Sequence, residues 1–252
     1  PPAPLPNLTR SIQSPRMHAS LLTSHNRTVR QLALEGIVEA TAFPDFVQTG
    51  SLIGMSGVDG NLVELLCAYW RLTPRKMESA ASLLGNGRPL IRLWTVRLVG
   101  DENEISSDIA QRLADLAATE PDIEVRAQLA CTARRLPAAQ AFPILRHLLM
   151  RDLDASDPRQ PLLLWWAIED KCASDASSVL ALMRETELWQ QRIVRETILP
   201  RLMRRFASTG RREDLLVCAQ LFALSPGSEH TATLTRGFEE ASQGRSMTAL
   251  PE

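Results

Sequence analysis

The sequence predicts an all-α fold, a superhelix of stacked helix pairs, on three observations. Of the 252 residues, 44% are apolar, yet only one is Tyr and six are Phe, which favours helices over sheets. A short motif recurs at a spacing typical of helical repeats. Pro and Gly mark the boundaries of the apolar-periodic segments. Together these features indicate an α-solenoid of the HEAT/armadillo type with roughly seven helix pairs.

The recurring motif is an aliphatic–Arg pair that follows a polar residue and opens an apolar helix. It occurs within residues 26–33 (NRTVRQLA), 86–96 (NGRPLIRLWTV), 122–130 (DIEVRAQLA) and 191–199 (QRIVRETIL). The successive arginines are 62, 34 and 69 residues apart, close to two, one and two units of a period in the low thirties. The structural repeat positions are Val29, Arg30, Ile91, Arg92, Val125, Arg126, Val194 and Arg195.

Each part of the motif has a physical role in a helical repeat. The leading Asn or Asp can cap the unpaired N–H groups of the helix. The aliphatic residue points into the seam between neighbouring repeats. Arg in a first turn is electrostatically unfavourable, so we expect it to reach an acidic or carbonyl partner on the adjacent repeat.

The remaining helices follow from apolar periodicity and its breaks. Two repeat units have lost the arginine, at residues 61–72 and 161–170. Pro200 interrupts an apolar-periodic stretch over residues 189–207, which predicts a kink or helix break. Partner helices are expected at residues 75–84, 107–118, 138–150, 174–185 (with Ser174 as a candidate N-cap), 212–224 and 229–241.

The domain organisation follows from these segments. Residues 1–12 are Pro-rich and typical of a linker or tail. Residues 13–245 form the predicted solenoid, and residues 246–252 form a second tail. Within the solenoid, residues 41–60 contain three glycines and depart from the repeat, so they are predicted to be an irregular connection. Their spacing does not match a phosphate-binding glycine motif.

The sequence supplies no residues that we assign to catalysis, to a cofactor or to a metal. The four cysteines stand far apart without a CxxC, and the four histidines are scattered, so a local zinc or haem attachment site is not indicated. The acidic stretch Asp152, Asp154 and Asp157 lacks the Gly and the distal Glu of an EF-hand. We interpret it as a loop whose carboxylates cap turns. The longest apolar runs are far below the ~20 residues of a membrane span.

Arginines are densest over residues 192–212, a pattern that could serve nucleic-acid binding. The net charge is −1, and at 100° per residue Arg192 and Arg195 fall on a different side from Arg201, Arg204 and Arg205. Because the basic stripe is not continuous, nucleic acid is not the expected partner.

The Trp165–Trp166 pair has two interpretations, packing in the core, which is the default for such residues, and a contact surface. Adjacent residues on a helix point about 100° apart, so at most one Trp can face the seam well. The other is left to cover a neighbouring helix or another protein domain.

Three segments resemble a known helical-repeat region: residues 93–102 (LWTVRLVGDE), 110–136 (AQRLADLAATEPDIEVRAQLACTARRL) and 161–169 (PLLLWWAIE). The region belongs to large planctomycete- and verrucomicrobia-type multidomain proteins, the membrane-bound dehydrogenases with a haem-binding c-type cytochrome domain. Residues 237–251 (GFEEASQGRSMTALP) also resemble its helical part. The resemblance is strong over about residues 65–251.

The resemblance implies a non-catalytic role for this chain. In that family a propeller precedes the helical region and a CxxCH-bearing domain follows it, and this chain contains neither. The implied function is a scaffold or spacer that positions the dehydrogenase-like and cytochrome c domains of a larger exported protein. Haem c would belong to the full-length family, and the implied location is extracytoplasmic. The alternatives are a standalone HEAT-repeat adaptor that binds a partner protein and a helical-repeat DNA glycosylase.

Overall fold

The computed structural model describes residues 26–40, 59–72 and 76–242, together with residues 21 and 24. Within these residues it is all-helical, with twelve α-helices and no strand. The predicted all-α class is confirmed. The predicted tails at 1–12 and 246–252, and residues 41–58 of the predicted irregular connection, lie outside the described residues.

The chain divides into two compact units, Pro1–Leu98 and Val99–Glu252. The first unit contains the motif helices at residues 29–30 and 91–92. Its α1 contacts α2, and Leu66, Leu83 and Val96 are fully buried. Its helices are α1 (Arg27–Ala40), α2 (Asp59–Leu72), α3 (Lys76–Leu84) and all but the end of α4 (Pro89–Gly100).

The second unit contains eight of the described α-helices, two 3-10 helices and one π-helix. The 3-10 helices cover Asp152–Ser156 and Leu188–Gln190, and the π-helix covers Val194–Ile198. The α-helices are α5 (Ser107–Thr119), α6 (Ile123–Arg135), α7 (Ala138–Leu149), α8 (Gln160–Ser174), α9 (Ala176–Met183), α10 (Leu199–Ala207), α11 (Arg212–Leu224) and α12 (Ser228–Ser242).

The helices of the second unit pack in two rows, because each contacts the helix two further along the chain. In the odd row α5 packs on α7, α7 on α9, and α9 on α11; in the even row α6 packs on α8, α8 on α10, and α10 on α12. Sequential helices join the rows to each other. The buried aliphatic side chains lie on the packed faces, for example Val125 and Leu129 of α6 and Ile144 and Leu148 of α7, all 0% exposed.

Local capping explains where these helices begin. Ser106 accepts from the backbone N–H of Ile109 at 3.4 Å before α5. Asp175 accepts from the N–H of Ser178 at 3.0 Å before α9. Each oxygen satisfies a donor that has no partner within the helix. Ser174 is therefore not the cap that we expected, because it is the last residue of α8 and the chain turns one residue later.

Pro200 alters the hydrogen bonding of its helix without ending it. Pro has no backbone N–H and cannot bond to the carbonyl four residues earlier. The helix accommodates this with the π-helix before it, in which the N–H of Leu199 donates to Val194 O. The chain then continues into α10. Of the predicted kink or break, the break does not occur, and a π turn precedes Pro200.

A glycine allows α12 to approach α10 closely at this place. Gly237 is buried, and a Cβ added to it would overlap the carbonyl oxygen of Pro200 and lie 3.0 Å from Pro200 Cα. Backbone cannot yield as the end of a flexible side chain can. The packing of α10 on α12 therefore requires a residue without a side chain here.

We expect Gly237→Ala to lower the free energy of unfolding by about 1–3 kcal/mol, because the methyl group overpacks this contact. Helix propensity alone predicts the opposite sign, a gain of about 1 kcal/mol. Urea unfolding followed by circular dichroism measures the difference. Gly227→Ala is the control, because a Cβ there meets nothing within 4 Å. Stabilisation by Gly237→Ala would contradict the close approach.

Candidate functional site

Three of the four motif arginines make the same backbone contact. The Nη1 group of Arg30 donates to Ser24 O at 2.7 Å, that of Arg92 to Asn86 O at 2.8 Å, and that of Arg126 to Glu120 O at 3.0 Å. In each case the carbonyl lies six residues earlier. The arginine therefore folds back over the turn that enters its own helix. We expected the partner on the adjacent repeat, whereas these three carbonyls lie in the turn that precedes the arginine's own helix.

The polar residue of the motif accepts hydrogen bonds from backbone N–H groups of the same turn. Asn26 Oδ1 accepts from Thr28 N, Asn86 Oδ1 from Arg88 N, and Asp122 Oδ1 from Glu124 N, each at 2.9 Å. Side-chain acceptors thus bind the N–H groups at the helix start, while the guanidinium binds a carbonyl of the turn. The motif specifies a rigid entry into a helix.

Arg126 extends this arrangement to a distant residue. Its Nε and Nη2 groups donate to the two oxygens of Asp154 at 2.7 and 2.6 Å, and its Nη1 group also donates to Pro121 O at 2.8 Å. Arg126 is 7% exposed and Asp154 is 4% exposed. The hydrogen bonds that Arg126 donates to Asp154 raise the pKa of Arg126, against the opposing effect of burial. This bidentate, buried pair joins the start of α6 to the 3-10 helix that precedes α8.

Arg195 departs from this pattern because it lies in the π-helix. Its Nη1 group donates to Glu229 Oε1 of α12 at 3.0 Å, and its buried Nε atom has no hydrogen-bond partner among the described residues. The wider π turn changes the direction of the Arg195 side chain, so that its guanidinium reaches α12 of the even row. Here the partner does lie on a neighbouring helix.

The aliphatic members of the motif are mostly buried. Ile91 is 1% exposed, Val125 and Val194 are 0% exposed, and Val29 is half-buried. The seam position is therefore fully enclosed in three of the four cases.

Gln160 occupies the equivalent position at the start of α8. It stands three residues after the capping Asp157, as Val125 stands three after Asp122. Gln160 is 0% exposed, and neither its Nε2 nor its Oε1 atom has a partner among the described residues. Its backbone N–H donates to Asp157 Oδ1 at 2.8 Å, and this bond is the chief cause that lowers the pKa of that carboxyl. The repeat pattern places a polar side chain where its neighbours place an aliphatic one.

The two tryptophans of the candidate contact surface separate as adjacent helical residues should. Trp165 is 7% exposed and packs inside the second unit, whereas Trp166 is 47% exposed. Leu162 and Leu163, one turn earlier on α8, are half-buried. Of these two tryptophans, Trp166 is the one available as a contact residue on the even row.

Acidic partners engage most of the arginine-dense segment. Arg192 binds Glu196, Arg204 binds Glu240, and Arg205 binds Glu169. Arg211 binds Glu213 and Asp214, and Arg201 donates to Thr197 O. A nucleic-acid backbone would need these guanidinium groups to bind its phosphates. Most of them already bind carboxylates of the same chain, which disfavours nucleic-acid binding.

The carboxylates of the acidic stretch also have hydrogen-bond partners within the chain. Asp154 binds Arg126, Asp157 caps α8, and Asp152 Oδ1 accepts from the backbone N–H of Arg192 at 2.5 Å. Leu153 between them is 92% exposed, a feature that the sequence analysis did not identify. Within the described residues no group of three or more His, Cys, Asp or Glu side chains is arranged to hold a metal ion.

The buried thiols are not poised for chemistry. Burial raises the pKa of Cys172 to about 12 and that of Cys218 to about 11, so both stay protonated at neutral pH. None of the helices in the described part of the chain is both long enough and apolar enough for a membrane crossing.

Comparison of the chain with protein-family models, with curated proteins and with solved structures finds no match.

We expect Arg126→Ala to lower the free energy of unfolding by about 3–5 kcal/mol, because it leaves Asp154 buried and uncompensated. Arg195→Ala, which removes a more exposed pair, should cost about 1 kcal/mol or less. Urea unfolding of the two variants under the same conditions tests the difference. Equal losses of unfolding free energy in the two variants would show that the buried pair stabilises the fold no more than the exposed pair does.

We expect Gln160→Leu to raise the free energy of unfolding by about 1–3 kcal/mol, because it removes a buried amide without partners. Gln220→Leu on the exposed side of α11 is the control, with an expected change within about 0.5 kcal/mol. Thermal and urea unfolding provide the measurement. A loss of stability in Gln160→Leu alone would mean that the amide is satisfied in solution.

Proposed function

We propose that this chain is a non-catalytic HEAT-type α-solenoid that acts as a scaffold and binds another protein domain through its even row. Following the resemblance in its sequence, we propose that it spaces the dehydrogenase-like and cytochrome c domains of a larger exported protein. The proposed setting is extracytoplasmic.

The helix packing supports a solenoid. In such folds each repeat contacts only its neighbours, and stacking buries a continuous core. The two rows of the second unit follow this rule over eight α-helices. The motif that begins α4 and α6 also begins α1 and the π-helix segment, which is consistent with one repeated structural unit.

The exposure of Trp166 is the observation that carries a binding role. An exposed Trp on a rigid helix supplies a large contact area at a small cost in conformational entropy, and Trp is enriched among residues that dominate binding energy. Trp165 beside it is buried and holds α8 in place. Trp166 is consequently presented from a fixed helix in the middle of the even row.

The arginine contacts suit a spacer better than an enzyme or a nucleic-acid reader. Arg126, Arg192 and Arg195 fix turns and helices to one another. Such contacts stiffen the unit and keep its two ends at a set separation. Stiffness is the property that a spacer between two domains needs.

Site-specific photo-crosslinking tests the proposed function. A benzophenone amino acid replaces Trp166 in the full-length protein, and a second protein carries it at Leu216, which is 51% exposed on α11 of the odd row. We expect position 166 to form a defined adduct with a haem-c-bearing or propeller domain, because that face is in contact. Position 216 should form this adduct at a much lower yield. Mass spectrometry of the adducts identifies the partner.

Two other outcomes would replace the proposal. An adduct from position 166 with an unrelated protein would support the standalone adaptor. Equal adduct yields from positions 166 and 216, or none from either, would remove the even row as the contact surface. Wild-type thermal stability of both proteins is the control for correct folding.

A further inference from the structure

The last helix of the odd row exposes an apolar stripe. Leu216 of α11 is 51% exposed, and Ala219 and Ala223 on the same side of the helix are also exposed. Leu215 and Phe222 beside the stripe are half-buried. Because the stripe lies on the odd row, it is independent of the contact that we propose for the even row.

The place of α11 in the stack explains why the stripe is uncovered. Helices α7 and α9 each have an odd-row helix on both sides, whereas α11 is the last odd-row helix of the described chain and packs on α9 alone within its row. The even row ends differently, because the exposed residues of α12 are polar apart from Ala232. A polar outer face closes the end of a helical solenoid. The even row therefore ends in a cap, and the odd row ends in a face that fits another helix.

The stripe has the residue spacing of a seam between two helices. It contains Arg212, Leu216, Ala219 and Ala223, which follow one another at intervals of four, three and four residues. This alternation keeps side chains on the side of a helix that packs along a second helix. All four residues are exposed.

The order of side-chain sizes along the stripe selects a second copy of this chain as the occupant. The stripe begins with two long side chains, Arg212 and Leu216, and ends with two small ones, Ala219 and Ala223. Two antiparallel copies of α11, related by a two-fold axis midway along the stripe, bring each Leu216 against the partner's Ala219 and each Arg212 against the partner's Ala223. Long side chains then fill the space beside small ones at every position. A parallel pair would instead set leucine on leucine and leave a gap between the alanines.

The charges at the two ends of α11 favour the same antiparallel alignment. Arg211 binds Glu213 and Asp214, whereas Arg212 makes no ion pair with another described residue. The C-terminal end of a helix is the negative end of its dipole, where a cation is favourable. Antiparallel pairing places Arg212 of each copy beside that end of the other helix, whereas parallel pairing would place the two Arg212 side chains together.

We propose that α11 forms the interface of a weak two-fold homodimer, in which the stripe from Arg212 to Ala223 packs antiparallel on the same stripe of a second copy. Two-fold contacts are the commonest contacts between identical chains. Helix α11 has 13 residues, so the seam is about 20 Å long. A contact of this length buries less than the ~1,200 Å² of the smallest stable interfaces. The dimer therefore forms only at high micromolar concentration.

Sedimentation velocity of the full chain, at concentrations from about 2 to about 500 µM, tests the proposal. We expect monomer at the lowest concentration and a rising fraction of dimer toward the highest. Leu216→Glu puts a charge into the seam and should weaken the dimer at least about tenfold. Leu153→Glu is the matched control, because Leu153 is 92% exposed outside the stripe, and it should leave the dimer unchanged. Circular dichroism verifies that each variant is folded.

An exchange of side-chain sizes tests the antiparallel alignment. Leu216→Ala sets small against small and Ala219→Leu sets large against large, so each change alone should weaken the dimer about fivefold. The two changes together restore a long side chain beside a small one. The double variant should therefore dimerise within about threefold of the wild-type affinity.

A monomer at every concentration would overturn the proposal, as would equal dimerisation of Leu216→Glu and Leu153→Glu. Oligomers that grow beyond two copies would do the same, because a two-fold contact closes at the dimer. A double variant that dimerises no better than the single variants would overturn the antiparallel seam and the proposal with it. Leu216→Glu alters an exposed position, so the proposal can be refuted even if Ala219→Leu does not fold.

Discussion

The buried pair of Arg126 and Asp154 is the interaction on which the second unit depends. A guanidinium removed from water is tolerated only when its donors are satisfied. Here Asp154 accepts two bonds, and the carbonyls of Glu120 and Pro121 accept one each. One side chain thus fixes the turn before α6 to the 3-10 helix before α8, which aligns two neighbouring helices of the even row. The same 3-10 helix reaches the next segment, because Asp152 accepts from the N–H of Arg192.

This chain of contacts gives the arginines a structural role that their number alone would not suggest. Arg195 and Arg204 of the dense segment bind glutamates on α12, and Arg205 faces Glu169 on α8. The exposed pairs each contribute little free energy. Their effect is to set the orientation of α8, α10 and α12, and therefore the direction in which Trp166 is presented. The proposed scaffold role depends on this fixed orientation.

Two positions depart from the residue that would best stabilise the fold or best match the repeat. Gly237 weakens the intrinsic preference of α12 for a helix, yet it allows the backbone of α10 to approach. Gln160 puts a polar amide into a seam that other repeats fill with Val or Ile. The first is explained by packing against Pro200. The second is an uncompensated polar group and therefore the clearest target for stabilising the fold.

Much of the local structure was determined by the sequence itself. Apolar periodicity located the helices, and α5 and α7 begin at the predicted residues, because capping and side-chain spacing act over a few residues. The same short range explains why the Trp165–Trp166 pair had to divide between core and surface. Only the tertiary structure decided which groups meet across the fold. Asp154 lies 28 residues from Arg126 in a segment without periodicity, and the π turn before Pro200 redirects Arg195 toward Glu229. Both contacts join residues that are far apart in the sequence, and such meetings depend on packing that no local pattern encodes.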